Sequence, residues 1–372
     1  MNSLKYIGLD VHKETIAVAV AEEGRTAPTS LGTIANDPAA VRKLIRQLGG
    51  RARLRCCYEA GPCGYVLYHQ LTDQGVSCQV VAPSLVPRRP GDRVKTDRRD
   101  ALKLALGFRA GTLTAIWVPD PADEALRDLV RAREDALEDL LRARHRLSKL
   151  LLRAGVRPPS DLRSWSARHR QWLAQVSMPR TAQQVAFEHY RLTIDQALER
   201  IAALDRRLLE LVGESRFAEI LAALQTLHGV GFITALTVAT EVQNFSRFSK
   251  APSFMGFTGV CPSEHSSGAT QRRGAITRAG NSHVRRVVVE AAWHYRRRPK
   301  DTARRRRELA ELPPWLQPIV RRADERLSCR FARLSARRKL PQKVVVAVAR
   351  ELLGFMWSIG CELEQRQAAL AA

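Results

Sequence analysis

At 372 residues and 45% hydrophobic content, the chain is too long for one typical domain and apolar enough for ordinary packed cores, so two or three domains are expected. Its 61 Lys and Arg against 37 Asp and Glu leave a formal net charge of +24, almost all of it from arginine, although GC-rich coding also raises arginine content. Such a chain repels itself unless its usual partner is a polyanion, with nucleic acid ahead of an acidic membrane surface. The odd set of seven cysteines shows no CxxC spacing, which argues against a disulfide scaffold or zinc site and for a reducing cytosol. No signal peptide and no bilayer-spanning apolar run are read, so no membrane association is expected.

Tyr6 to Ala21 reads as two strands joined by a tight polar turn. Asp10 sits in that apolar surface, where an unpaired carboxylate is costly. It is either held for a cation or merely starts a turn, and this stretch alone favours neither reading. A third strand follows at Thr29 to Ala35. A helix then starts at Asp37-Pro38 and stops at Gly49-Gly50. Arg53 to Tyr58 is a fourth strand ending at Glu59, Tyr65 to Asp73 a helix, and Ser77 to Ala82 a fifth strand. A hairpin followed by alternating strands and helices predicts an α/β domain with a mixed sheet and packed helices.

The loop Pro83 to Arg93 carries Arg88, Arg89 and Arg93, all candidate phosphate contacts. Thr96 is a plausible N-cap for the next helix, whose first turn holds Asp97 and Asp100. Three residues apart, these carboxylates share a face at the positive end of the helix dipole. They are either dipole-matching surface acids or, with Asp10 and Glu59, an oxygen-rich site suited to Mg²⁺ and phosphoryl transfer.

Pro119 to Ala122 marks a boundary. Asp123 to Leu152 carries an apolar ladder interrupted by Arg133 and Arg144, and Thr181 to Val212 a cleaner one through Tyr190, Ile194, Ala197, Ile201, Leu204, Leu208 and Leu211. These predict either a coiled coil or an antiparallel hairpin packed within the chain. Between them, Arg153 to Pro179 reads as a break, in which Trp165 and Trp172 either pack or stack on bases.

In the last block, His228-Gly229-Val230-Gly231 resembles the turn of a helix-hairpin-helix element, with Gly229 and Gly231 letting the backbone approach phosphate. From Cys261 to Arg286 the chain reads as loops broken by Gly274, Gly280 and Asn281. It holds Ser263, Ser266, Ser267 and Gly268 beside Arg272, Arg273, Arg278, Arg285 and Arg286. A serine loop beside five arginines suits covalent attack on a DNA phosphate, although Ser-Gly loops are usually turns. Val287 to Tyr295 predicts a helix, Arg296 to Arg307 a solvated basic run, and Lys343 to Trp357 a helix closing the C-terminal core.

Asp10 in GLDVHK, Glu59 in YEAG and Asp97/Asp100 in KTDRRDA resemble the DEDD set of RuvC-like, ribonuclease-H-type transposases of insertion-sequence family one-ten. GFTGVCPSEHSSG followed by RRGAITRAGNSHVRR resembles that family's C-terminal transposase domain, where the nucleophilic serine falls on Ser267, with Ser266 as its rival. The resemblance implies a RuvC-like domain at 1–118, a helical coiled-coil arm at 119–215 and a mainly helical serine domain at 216–372. It also implies a Mg²⁺-dependent recombinase that exchanges donor and target double-stranded DNA through phosphoserine links, guided by a structured bridge RNA. Such enzymes act as homodimers assembling to a tetramer, here in the bacterial cytoplasm at the nucleoid. A metal-dependent junction resolvase or nuclease with an idle serine is the nearest alternative, and a non-catalytic nucleic-acid-binding protein the next.

Overall fold

The computed structural model describes residues 3–87, 96–268, 270–300 and 302–371. Arg88, Arg89 and Arg93 lie outside the described residues. The chain forms two compact units, Met1–Pro119 and Asp120–Ala372.

The first unit is a mixed five-stranded sheet of β1 (Lys5–Val11), β2 (Thr15–Glu22), β3 (Thr29–Ala35), β4 (Leu54–Glu59) and β5 (Ser77–Val81), in the order β3-β2-β1-β4-β5. The first three strands form an antiparallel meander, and β4 and β5 run parallel to β1. One face packs Ile7, Leu9 and Tyr58 against α1 (Pro38–Leu48) and α2 (Val66–Asp73). Helix α1 begins where expected, because Asp37 accepts hydrogen bonds from the amides of Ala39 and Ala40, both at 2.8 Å.

The other face is lined by small residues. Ala17, Ala19 and Ala21 of β2 meet Ala101 and Ala105 of α3 (Asp97–Arg109). On β1, a Cβ at Gly8 would overlap the Ala101 carbonyl oxygen and the Ala105 amide and stand 2.9 Å from Leu104 Cβ. Glycine and alanine therefore let α3 lie directly on the strands.

The second unit is helical apart from one ribbon. Long α4 (Pro121–Arg153) and α6 (Thr181–Val212) pack on each other. Arg133 pairs with Asp205 at 2.9 Å and Arg200 with Asp139 at 3.7 Å, a reversed order that makes the pair antiparallel. The apolar ladders are thus mostly covered within the chain: Leu140, Leu147 and Leu151 share a cluster with Phe187, Ile194 and Ile201, whereas Leu211 is exposed. The expected break between these helices instead contains α5 (Ala167–Gln175), capped by Ser166. Prolines 158 and 159 and the two tryptophans had masked this short helix.

The remaining core is built by α7 (Ala218–Gln225), α8 (Phe232–Val242), α9 (Ala251–Thr258), α10 (Ser282–Ala292), α11 (Ala303–Ala310), α12 (Leu316–Ala336) and α13 (Pro341–Ala371). Between α9 and α10, β6 (Pro262–Glu264) and β7 (Arg273–Ile276) form an antiparallel ribbon, so this stretch is not the run of loops expected. The expectation that no segment could span a bilayer also needs correction: Pro341–Leu370 is long and apolar enough, with a window of mean hydropathy 1.6. Its Val344, Val348, Leu352 and Ile359 are buried among α7, α9, α10 and α12, which accounts for its apolarity as that of a core helix.

Candidate metal centre and serine ribbon

Strand alternation positions the first acidic residues. Asp10 follows Gly8 by two and therefore lies on the α3-facing side; its partner on β2 is Ala17, which packs on α3. Cys57 also faces α3, packing with Leu104, so Glu59 two residues later lies on that same face. Leu9 pairs with Tyr58 in the parallel register, which leaves Asp10 and Glu59 at the same end of neighbouring strands.

Helix α3 brings its first turn to that end. Thr96 accepts a hydrogen bond from the Arg99 amide at 3.4 Å, as expected of its N-cap, and Asp97 and Asp100 follow at once. Ligand atoms of Asp10, His12 and Asp97 all lie within 4.8 Å of one another. His12 Nε2 is 3.4 Å from an Asp10 oxygen and 3.5 Å from an Asp97 oxygen. Asp100 lies 3.4 Å from Lys103 Nζ and is near enough to Asp10 to repel it.

His12 was not singled out in the sequence, although its i+2 spacing from Asp10 at the end of a strand was the available signal. The turn that carries it is fixed: Asn36 donates to the His12 carbonyl at 2.7 Å and His12 N donates to the Thr15 carbonyl at 2.8 Å. Lys13 points to solvent.

The electrostatics describe a site short of positive charge. Burial raises the Asp10 pKa; His12 works against this, while Asp97 and Asp100 push it further up. Asp10 is 21% exposed and Asp97 61%, so the group opens from a partly buried floor to a solvated rim. Clustered carboxylates with an adjoining imidazole fit a divalent cation.

In the second unit, Ser267 N donates to the Thr270 carbonyl at 3.1 Å and Thr270 N donates to the Ser267 carbonyl at 3.1 Å, which puts Ser267 at the tip of the β6–β7 ribbon. Ser266 Oγ donates to Glu264 Oε1 at 2.8 Å. The ribbon's base is held by close backbone packing. Gly259 (φ +68°) and Gly280 (φ +82°) have no room for a Cβ against the Ala279 and Phe257 carbonyls, and Asn281 N donates to the Phe257 carbonyl at 2.8 Å.

The five arginines divide. Arg272 and Arg273 are on the ribbon, with Arg273 3.6 Å from Glu264, and exposed Arg278 turns the chain at φ +55°. Arg285 and Arg286 belong instead to α10, not to a loop. Arg285 donates to the Thr258 carbonyl at 2.8 Å, and Arg286 to Glu134 at 2.7 Å. Glu134 also contacts His283 at 2.7 Å. Nearby, Glu241 (side chain 2% exposed) accepts from Arg131 at 2.7 and 3.0 Å and from Asn281 at 2.7 Å. This network ties α4 to the base of the ribbon. Gly229 (φ +80°) backs onto Ala291 and His294, whereas Gly231, at the start of α8, faces open space.

Residues 7–155 match a family model described as a DEDD transposase, and residues 221–307 match one described as "Transposase IS116/IS110/IS902 family". The protein "Putative transposase y4qE" of Sinorhizobium fredii is 42% identical over 362 residues, spanning 97% of this chain and 89% of its own length. The chain belongs to the IS110/IS116/IS902 transposase family. The "Transposase for insertion sequence element IS1533" of Leptospira borgpetersenii is 30% identical over 343 residues, 90% of this chain and 97% of its own. Membership of this insertion-sequence transposase family implies an enzyme that cuts and recombines DNA. The mixed α/β first unit and the mostly helical second unit accord with a DEDD nuclease-like fold.

Proposed function

We propose that this transposase is a site-specific recombinase that mobilises an insertion element by strand exchange through a 5′-phosphoserine intermediate. Asp10, Glu59, Asp97 and Asp100 would hold one or two Mg²⁺ ions. The reading is carried by the meeting of Asp10, His12 and Asp97 within 4.8 Å, with Asp10 partly desolvated and repelled by Asp97 and Asp100. A bound divalent cation would stabilise charge on the phosphate oxygens being cut. The chain's own residues orient and neutralise around it: Thr96 caps α3, and Gly8 lets α3 seat against β1. His12 Nε2 stands 3.4 Å from Asp10 and 3.5 Å from Asp97, placed to join them as a nitrogen ligand.

For the covalent step, Ser267 Oγ attacks the phosphorus, the Oγ–P bond forms and the P–O3′ bond breaks. The serine proton passes to a base and the released O3′ takes up a proton. Attack by a different 3′-hydroxyl then reverses the step, reseals the DNA and restores the serine. Exposed Arg272, Arg273 and Arg278 are proposed to meet the phosphate charge. Because Arg285 and Arg286 are engaged within the chain, they are assigned to holding α10, with phosphate contact only after those bonds exchange. Ser266 is the alternative nucleophile, favoured by its hydrogen bond to Glu264.

The finer organisation is proposed on the same grounds. A RuvC-like domain at 1–118 is followed by an arm at 119–215 and a serine domain at 216–372, a division supported by the arm and serine region having largely separate apolar clusters. The α7–α8 turn is read as a helix-hairpin-helix element that offers phosphate its Gly231 side. Arg88, Arg89 and Arg93 are kept as candidate phosphate contacts on their charge alone. Guidance by a bridge RNA and assembly of dimers into a tetramer, with the arm joining subunits, complete the proposal.

Trapping tests it. Mixing the protein, Mg²⁺ and the element's non-coding RNA with DNA carrying the element's end, then denaturing, should leave a protein–DNA adduct that Ser267→Ala abolishes without loss of DNA binding. An adduct lost only in Ser266→Ala moves the nucleophile by one residue. Strand breakage with no adduct would make the enzyme a nuclease or junction resolvase.

A further inference from the structure

The arm contains a cavity that the recombination chemistry does not use. The end of α4, the loop after it and the start of α5 border a half-open pocket of about 410 Å³, within the range of small-ligand pockets. Leu152, Val156, Trp165 and His169 line it, and Lys149 and Arg157 stand on its walls.

Three features of its surroundings favour a flat, anionic guest. First, Trp165, His169 and Trp172 form a contiguous aromatic group, with His169 ring centroids 5.3 and 5.4 Å from the two tryptophans. Trp165 is carried on a left-handed backbone at φ +64°, a costly conformation for a bulky residue and one enriched at ligand sites. Second, cations here outnumber acids. The Arg144 guanidinium lies 5.0 Å from the Trp165 ring centroid, and its buried Nε has no hydrogen-bond partner. Burial and the charge of Arg170 both lower the Arg144 pKa, so its surroundings disfavour the bare cation. The nearby acid Asp161 is engaged with Arg168 at 3.1 Å. Third, His169 is buried with Nδ1 lacking a partner, and burial lowers its pKa.

We infer that this arm cavity receives one unpaired nucleotide, its base stacked against the Trp165–His169 group and its phosphate drawn by Arg144, Lys149 and Arg157. Base–aromatic stacking tolerates any sequence, so the pocket reads the unpaired state and not the identity of the base. RNA and DNA share that chemistry. The inference does not depend on the serine mechanism and gives the arm a role besides joining subunits.

The test uses the full-length protein and labelled hairpins in four forms, RNA or DNA, each fully paired or with a single bulged nucleotide. Anisotropy at fixed salt should show the bulged form bound about tenfold more tightly than the paired form. An RNA-only or DNA-only preference assigns the source. Trp165→Leu should reduce the preference below about twofold while paired binding is kept, and Trp165→Phe should restore it. Should Trp165→Leu fail to fold, the exposed-wall double variant Lys149→Glu/Arg157→Glu should remove the same preference. 5-Iodouracil at the bulge should cross-link within residues 144–172. Equal affinity for bulged and paired probes, a preference unchanged in folded Trp165→Leu, or cross-links only elsewhere would overturn the inference.

Discussion

Replacing Gly8 with alanine tests whether the metal group depends on how closely α3 approaches β1. The added Cβ would overlap the Ala101 carbonyl oxygen and Ala105 amide, both backbone atoms that cannot rotate away. Ordinary contact begins at 3.4 Å, and Leu104 Cβ would stand only 2.9 Å away. Helix α3 must therefore retreat by on the order of 1 Å, with an overpacking cost of about 1–3 kcal/mol. Asp97 and Asp100 move with it, whereas Asp10 stays on the strand. A misplacement of that size in a catalytic constellation costs roughly 100-fold in rate. Cleavage of element-end DNA in Mg²⁺ should fall by about that factor while the variant remains folded at the assay temperature. Gly256→Ala, at a helical glycine with nothing within 4 Å of the added atom, is the control and should retain full activity. Wild-type cleavage by folded Gly8→Ala would refute the claim that α3's seating sets the site.

Asp10→Asn removes a desolvated charge repelled by Asp97 and Asp100, so the cation-free protein should melt no lower than wild type, and the melting-temperature rise on adding Mn²⁺ should vanish. A retained rise would locate the cation elsewhere. The sign for pH follows from the raised Asp10 pKa: its contribution to cation-free stability is present below the unfolded pKa and lost as pH rises through the folded value. Cation binding needs the deprotonated carboxylate, so the Mn²⁺-induced shift in melting temperature should shrink as pH falls through that same folded value; a shift unchanged into strong acid would contradict it. Burial alone would raise the Glu241 pKa, but hydrogen bonds and charge from Arg131, with Asn281 and His283, outweigh it and hold the carboxyl below its usual range. Its stabilisation is therefore present above the unfolded pKa and lost as pH falls through the lowered one. Glu241→Ala should cost about 3 kcal/mol in denaturant melts at neutral pH, and a loss under about 0.5 kcal/mol would show that the network does not hold α4 to the ribbon base.

Much of the first unit was legible because its signals are local. Alternation marked the strands, Asp37-Pro38 and Thr96 marked helix starts, and Asp10, Glu59, Asp97 and Asp100 stood at element ends. The placement of Asp10 and Glu59 on one face required the β1–β4 register, which joins residues about fifty apart. His12 escaped notice because histidine at a turn is ordinary until two carboxylates converge on it. In the second unit, heptad spacing could not distinguish an intermolecular coil from a hairpin; the Arg133–Asp205 pairing does so for the contacts within this chain. Arg285 and Arg286 looked free in the sequence because their partners, the Thr258 carbonyl and Glu134, lie 27 and 152 residues away. The ribbon was missed because Gly274 suggested a loop, whereas it sits in β7 with its α-carbon beside the Ser263 hydroxyl.

Localised Fenton cleavage interrogates the proposed metal centre most directly. With Mg²⁺ replaced by Fe²⁺ and ascorbate added, hydroxyl radicals cut the polypeptide beside the bound ion. Cuts are expected near residues 10, 59 and 97, suppressed by excess Mg²⁺ and absent in Asp10→Asn. Cuts confined to other segments, or unchanged in that variant, would contradict it.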